Sequence, residues 1–371
     1  MKKKILVYGM SNTWGGMEAI ILNMSQYLVK YLDMDIMLPD GECVYENNYK
    51  HRGLSFIHMP SWGSDRKLFC KRLTSQLERV NYNYIWINSC ILANRDIVSV
   101  ASLFPSIKII THAHSSSFEE DNIIKRIILF ILHYRNRAFY LRKIDYPCMC
   151  SEQAGRWLFG KRYLEKNKVL LVNNGINICK YRFSPEIREQ YRSDLGLRDE
   201  IALFNVGRLA KVKNQIRLIE IAELLASSGV SFRLFIAGDG ELRKELYDVI
   251  KEKSLECFVS LLGHRDDISS LCQAMDVFIL PSLNEGFGMV LAEAQASGLP
   301  CVASSTVPIE TNVAGLVRYL SLDDSDEVWA SAIIDSSKMN INRPEMADVV
   351  ARKGFDIEQS SYCFLKYINA F

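Results

Sequence analysis

The chain has 371 residues and a mass of 42.5 kDa, more than one compact domain normally holds, so two domains are expected. Hydrophobic residues at 49% and charged residues at 24% exclude a disordered chain, and no apolar run approaches the ~20 residues of a membrane span. Residues 1–165 carry 22 Lys+Arg against 15 Asp+Glu and the rest 23 against 28, so a basic half is joined to an acidic half and two surfaces with different partners are implied. The basic charges are dispersed and no helix-turn-helix or RNA-binding motif accompanies them, which argues against nucleic acid.

The first segment, Met1-Lys2-Lys3-Lys4-Ile5-Leu6-Val7-Tyr8, has a basic head, a short apolar stretch and no small-residue cleavage site. It reads as a first β-strand rather than a secretory signal. Ten cysteines without a signal are read as reduced thiols in the cytoplasm. The closest pair, Cys148-Met149-Cys150, does not have the spacing of a metal or redox motif.

Short β-branched runs then alternate with segments of helical period, the pattern of parallel α/β sheets. Strands are predicted at Lys4–Tyr8, Asp35–Leu38, Leu54–His58, Tyr84–Ile87, Lys108–Thr111, Asp145–Cys150 and Lys168–Val172, with helices such as Glu18–Tyr31 and Asp65–Val80 between them. Asn173-Asn174-Gly175 opens an irregular, charged stretch to Arg198, where the hinge is expected. A second series follows at Ala202–Val206, Phe232–Ala237, Val259–Leu262, Val277–Pro281, Cys301–Ala303 and Gly315–Tyr319, and Gly354–Phe371 reads as a closing helix. The expectation is two doubly wound Rossmann-like domains facing across a cleft. Their bounds are set at 1–170 and 171–350, with 351–371 closing back toward the first domain. Open α/β sheets bind ligands at the carboxyl ends of their strands.

Three of those strand ends carry chemistry. Gly9 to Glu18, with Gly15-Gly16 paired, is either a tight strand-to-helix turn or a cradle of N–H groups for a phosphate. It lacks the Gly-x-Gly-x-x-Gly fingerprint of NAD enzymes. Gly207-Arg208 to Lys213-Asn214 places two cations five residues apart on a turn, suited to one diphosphate or simply solvated. The densest signal is Pro281-Ser282-Leu283-Asn284-Glu285-Gly286-Phe287-Gly288-Met289-Val290-Leu291-Ala292-Glu293-Ala294. There a glycine-bracketed loop aims N–H groups of Phe287 to Val290 at an anion, and Glu285 and Glu293 reach different hydroxyls of one ligand.

Glu285 and Glu293, with seven residues between them, resemble the paired-glutamate signature of retaining GT-B glycosyltransferases, specifically family 4. Gly15-Gly16-x-Glu18, Asn174-Gly175-Ile176, Gly207-Arg208…Lys213-Asn214, Ala237-Gly238-Asp239-Gly240 and Leu262-Gly263-His264 match in order over essentially the whole chain. Thr111-His112-Ala113-His114-Ser115 and Glu152 to Gly160 resemble bacterial capsule and exopolysaccharide enzymes.

The resemblance implies transfer of a hexose or N-acetylhexosamine, with retention, from a UDP-sugar to a saccharide acceptor, expected to be lipid-diphosphate-linked. Glu293 would accept hydrogen bonds from the ribose hydroxyls and Glu285 would contact the transferring sugar. Arg208 and Lys213 would neutralise the diphosphate, helped by N–H groups of Gly16 and of Gly288 to Val290. Asn174, Gly207, Gly238 and Gly286 would shape the donor site, and Gly263-His264-Arg265 would edge the base. His112 or His114 would lie near the sugar, and the motif aligns with either. No cofactor and no metal are expected, because the cations replace Mg²⁺ and no Asp-x-Asp is placed to hold one; Asp33-Met34-Asp35 lies at a strand start in the other domain. The rival readings are a GT-B nucleotide-sugar epimerase and a non-enzymatic nucleotide-sugar binding protein. Ile123 to Leu132, followed by His133 to Arg137 and Arg142-Lys143, is read as a possible peripheral contact with an anionic cytoplasmic membrane, against the alternative of a helix packed on its own domain.

Overall fold

A computed structural model describes residues 2–13, 15–115, 122–285 and 287–370. Seven parallel strands make the first sheet: β1 (Lys3–Tyr8), β2 (Leu32–Pro39), β3 (Leu54–Met59), β4 (Tyr84–Ser89), β5 (Lys108–Ala113), β6 (Tyr146–Met149) and β7 (Leu170–Leu171). Their order is β3-β2-β1-β4-β5-β6-β7. The interior of β1, Ile5-Leu6-Val7, is fully buried on both faces, as helices on either side of a parallel sheet require. On one face the Gly16–Leu28 and Ile357–Tyr367 helices bury Ile21, Trp86, Phe364 and Leu365; on the other, Phe69 and Leu73 of the Arg66–Arg79 helix join Ile85 and Ile109. Cys148 and Cys150 belong to these opposite faces.

Six parallel strands make the second sheet: β8 (Ile201–Val206), β9 (Phe232–Ala237), β10 (Val259–Gly263), β11 (Val277–Leu280), β12 (Cys301–Ser304) and β13 (Val317–Leu320), in the order β10-β9-β8-β11-β12-β13. Both sheets are doubly wound, and strand order reverses between β1 and β4 in one and between β8 and β11 in the other. Ligands of such sheets bind outside the strand ends at that reversal.

The chain forms two compact units, residues 1–175 with 357–371 and residues 176–356. The boundaries expected at 170 and 350 therefore lie at 175 and 356. The stretch expected to be irregular up to Arg198 holds two helices, Ile178–Tyr181 and Pro185–Asp194. Their start signals are local: Asn177 accepts from Lys180 N–H at 3.3 Å, and Ser184 accepts from Ile187 N–H at 3.3 Å ahead of Pro185 at the first helical position. High charge over Pro185–Asp194 reflects a solvated helix, not a missing one.

Candidate active site

The reversal point of the second sheet gathers the two densest motifs. After β8 the chain makes a tight turn over Lys211–Lys213 and enters the Gln215–Ser227 helix through Asn214. Asn214 donates its side-chain amide to the Pro281 carbonyl at 3.1 Å, and Leu283 N–H donates to the Val212 carbonyl at 2.8 Å. These bonds tie the β8 and β11 loops together and set Lys213 beside Glu285, 2.6 Å from Nζ to Oε1. Ser282, fully buried, donates its hydroxyl to the same Oε1 at 2.7 Å. Its carbonyl in turn accepts from Ser304 and Thr306, at 2.5 and 2.6 Å. Glu285 is thus held by two donors on one oxygen, and its side chain is 9% exposed.

Gly288 caps the Met289–Ala296 helix with φ +74°, a left-handed conformation that favours glycine. The N–H groups of Met289 and Val290 lie in the first turn, where no intrahelical acceptor exists. Phe287 stacks on Phe355 at 5.4 Å. Glu293, one turn in, accepts a hydrogen bond from Tyr181, and burial pushes its carboxyl up to about 7.

Three successive strand ends are laced by backbone bonds. Gly207 N–H donates to Ala237, Leu209 N–H to Asp239 and Gly238 N–H to Gly263, at 3.0, 3.0 and 2.8 Å. A Cβ on Gly238, whose φ is +139°, would stand 1.9 Å from the Gly207 carbonyl oxygen, so only glycine allows this approach. The expected convergence of Arg208 with Lys213 is not what this lacing produces. Arg208 is exposed and pairs with Glu241 at 3.0 Å, whereas Lys213 pairs with Glu285. His264 is exposed, 3.4 Å from Asp266, and Arg265 grips Asp267 at 2.8 and 2.5 Å. Gly286 lies outside the described residues.

In the first unit, Gly15 caps the Gly16–Leu28 helix and Gly16 has open space where a Cβ would be. Glu18 accepts from Ser11 N–H at 2.8 Å and from the Ser11 hydroxyl at 2.9 Å, which folds the β1 loop back on the helix start. The side-chain oxygen of Asn174 is buried with no hydrogen-bond partner among the described residues. At the end of β5, His112 has no exposed surface; it lies against Trp86 and, at 4.1 Å between ring centroids, His114. His114 is half-buried, and its Nε2 lies 2.8 Å from Asn88 Oδ1. Burial lowers both rings' affinity for a proton, to about 3 for His114. Asp35, from the Asp-x-Asp, is buried and engaged by Tyr82 and Lys4 at 2.5 and 3.2 Å.

Sequence reasoning missed Ser282, Tyr181 and Asn88. Ser282 stood in the motif but was read as strand end, and Tyr181 lay in the stretch taken as irregular. Asn88 carries no local signal, because its partner is 26 residues away.

The two doubly wound parallel sheets have the architecture of the GT-B fold. Among solved structures the chain is similar to Anabaena Alr3699/HepE in complex with UDP, TM-score 0.75 with 19% identity over 100% of both chains. Residues 187–352 match the family model "Glycosyl transferases group 1", so this chain carries a glycosyltransferase group 1 domain. EpsF of Bacillus subtilis (strain 168), named as a glycosyltransferase, is 28% identical over 96% of this chain and 93% of its own. The Escherichia coli UDP-Gal:alpha-D-GlcNAc-diphosphoundecaprenol alpha-1,3-galactosyltransferase is 36% identical over 38% of each chain.

Proposed function

We propose that this glycosyltransferase is a retaining family 4 enzyme that moves a hexose or N-acetylhexosamine from a UDP-sugar to a lipid-diphosphate-linked saccharide in capsule or exopolysaccharide assembly. The observation that carries it is the Lys213–Glu285 pair at the strand reversal, followed by the buried Glu293 one turn into the Met289–Ala296 helix. Glu293 takes the ribose hydroxyls and Glu285 the hydroxyls of the transferring sugar. Lys213, released from Glu285 to the diphosphate, meets the charge that grows as the sugar–phosphate bond breaks, and Arg208 joins it by leaving Glu241. The N–H groups of Gly288, Met289 and Val290 complete the anion cradle. With those donors in place the reaction needs no metal ion. The UDP bound by HepE and the diphosphoundecaprenol acceptor in the name of the Escherichia coli relative support the donor and acceptor classes. The 1–175 unit receives the acceptor, and the exposed isoleucines of the Ile123–Leu141 helix support contact with an anionic membrane.

The test is transfer from a panel of UDP-sugars to polyprenyl-diphosphate-linked sugars in excess EDTA, with the product anomer read by NMR. Full activity with retained configuration is expected. Activity restored only by Mg²⁺ or Mn²⁺, inversion, or epimerised donor without an acceptor would overturn the corresponding part of the reading.

A further inference from the structure

A cavity of about 170 Å³ opens among the carboxyl ends of β1, β2 and β3, wholly within the first unit. Its walls are Met10, Met37, Met59 and the rings of Tyr8, Trp62 and Phe69, with the exposed Ser61 at its rim. Tyr8 and Phe69 stand 6.1 Å apart between ring centroids. Among the described residues three lining side chains carry polar atoms, and each is engaged inside the protein. Trp62 donates its indole N–H to Asp96 at 2.8 Å, Asn94 donates to the Tyr8 hydroxyl at 2.8 Å, and Ser61 donates to Ser64 at 3.1 Å. Arg66 grips both oxygens of Asp96 in turn, so the indole is held as a wall. The lining carbonyls of Pro39 and Met59 accept from Asn12 and from Asp40 N–H. A hydroxyl-rich group would lose its water here against partners already committed elsewhere, so the cavity suits an apolar one.

Size narrows the choice. A cavity of ~150 Å³ holds one benzene, so this one takes a group of that size, far larger than the methyl of an acetamido group. An isoprene unit is that large, and its alkene makes it flat enough to lie against aromatic rings. The methionines adapt to its methyl branch. Charge points the same way. The chain between Trp62 and Phe69 opens the Arg66–Arg79 helix, whose first turn carries Arg66 and Lys67, both exposed, and no acid. Cations there oppose the helix dipole, whereas an anion beside that end is favoured.

We infer that this cavity is a prenyl subsite: it takes the first isoprene unit of a polyprenyl diphosphate acceptor, with the diphosphate outside at the Arg66–Lys67 turn. The inference rests on the lipid-linked acceptor proposed above and adds which part of that lipid is read.

The probes are methyl, decyl and geranyl diphosphate, titrated by calorimetry into the full chain with saturating UDP, so that the donor cradle is already filled. Geranyl diphosphate should bind roughly ten- to hundred-fold tighter than methyl diphosphate, the worth of a partly enclosed apolar group. It should also outbind decyl diphosphate, which has as many carbons but neither branch nor alkene. Ser61→Phe, at the exposed rim where no buried packing is disturbed, should erase the gain and leave methyl diphosphate unchanged. Trp62→Ala should do the same, and Lys67→Gln should weaken all three probes alike. Equal binding of geranyl and methyl diphosphate, or a gain that survives Ser61→Phe, overturns the inference. So does a decyl tail bound as well as geranyl, which marks a general lipid slot, or displacement by free N-acetylglucosamine, which marks a sugar site. A gain lost in Ile124→Ser with Ile128→Ser places the tail on the outer helix instead and overturns it too. Transfer assays keep this apart from the enzymatic reading. Equal kcat/KM for geranyl- and methyl-diphosphate-linked acceptors removes the subsite and keeps the enzyme. Prenyl binding without transfer from any UDP-sugar removes the enzyme and keeps the subsite.

Discussion

Lys213 and Glu285 neutralise one another in a pocket that leaves the glutamate 9% exposed, so neither side chain can be removed without stranding the other. Lys213→Ala should lower kcat by about 10²–10³, the cost of losing one preorganised donor to a developing charge. Lys213→Arg should recover part of it, and steady-state assays with saturating donor measure both. Glu293 carries the opposite trade. Its carboxyl sits at about 7 against an ordinary 4.5 because burial penalises its charge. The folded chain therefore holds a proton there that the unfolded chain releases at lower pH. The associated stability is fully present below pH 4.5 and is lost as pH rises through about 7. Glu293→Gln should raise stability at pH 8 by about 1–3 kcal/mol, leave it unchanged near pH 4.5, and weaken UDP binding. Thermal melts with and without UDP at the two pH values check all three. Both glutamates were legible in the sequence, since a glycine-bracketed loop and one helical turn fix their spacing. Their partners Ser282 and Tyr181 were not, because burial and a distant helix create those contacts.

Strand placement follows the β-branched runs so closely because a parallel strand, buried on both faces, must be apolar throughout. β9 begins and ends where the pattern predicts, and β7 shrinks to two residues at the edge of its sheet. The Ile123–Leu141 helix was harder, and the reason is physical. Its packed side is polar: His133 accepts from Leu92 N–H at 3.1 Å and stacks on Trp157, and Asn136 donates to the carbonyls of Leu92 and Ala93. Its outer side holds Ile123, Ile124, Ile127, Ile128, Phe130 and Ile131, all at least 45% exposed. An inverted helix defeats any projection that assumes apolar means inward. Arg137 is committed to the Trp157 carbonyl at 2.7 Å, so it is left in place in the test. Replacing Lys125, Arg126, Arg135 and Arg142 by glutamine should reduce sedimentation with phosphatidylserine vesicles, at about 1 kcal/mol per charge. Ile124→Ser with Ile128→Ser should reduce it even at low salt. Sedimentation that ignores both sets of changes would remove the membrane from the reading.

On the scale of the whole chain, the first unit is interrupted. It leaves at Gly175 and is resumed by Ile357–Phe371. The returning helix completes a core rather than decorating a surface. Phe364 and Leu365 are fully buried, Phe364 lies 4.6 Å from Trp86, and Tyr84 donates its hydroxyl to the Ile368 carbonyl at 2.8 Å. Phe364→Ala should cost about 3–5 kcal/mol, and limited proteolysis should show the damage in residues 1–175 while 176–356 persists. The same return dictates an order of events during synthesis. When residues 176–356 have emerged, their sheet has all six of its strands and every residue of its unit. The earlier sheet, translated first, still waits for its last layer with Trp86 uncovered. The unit begun first is therefore completed second, and a chain cut short before Ile357 holds one complete unit tethered to an open one.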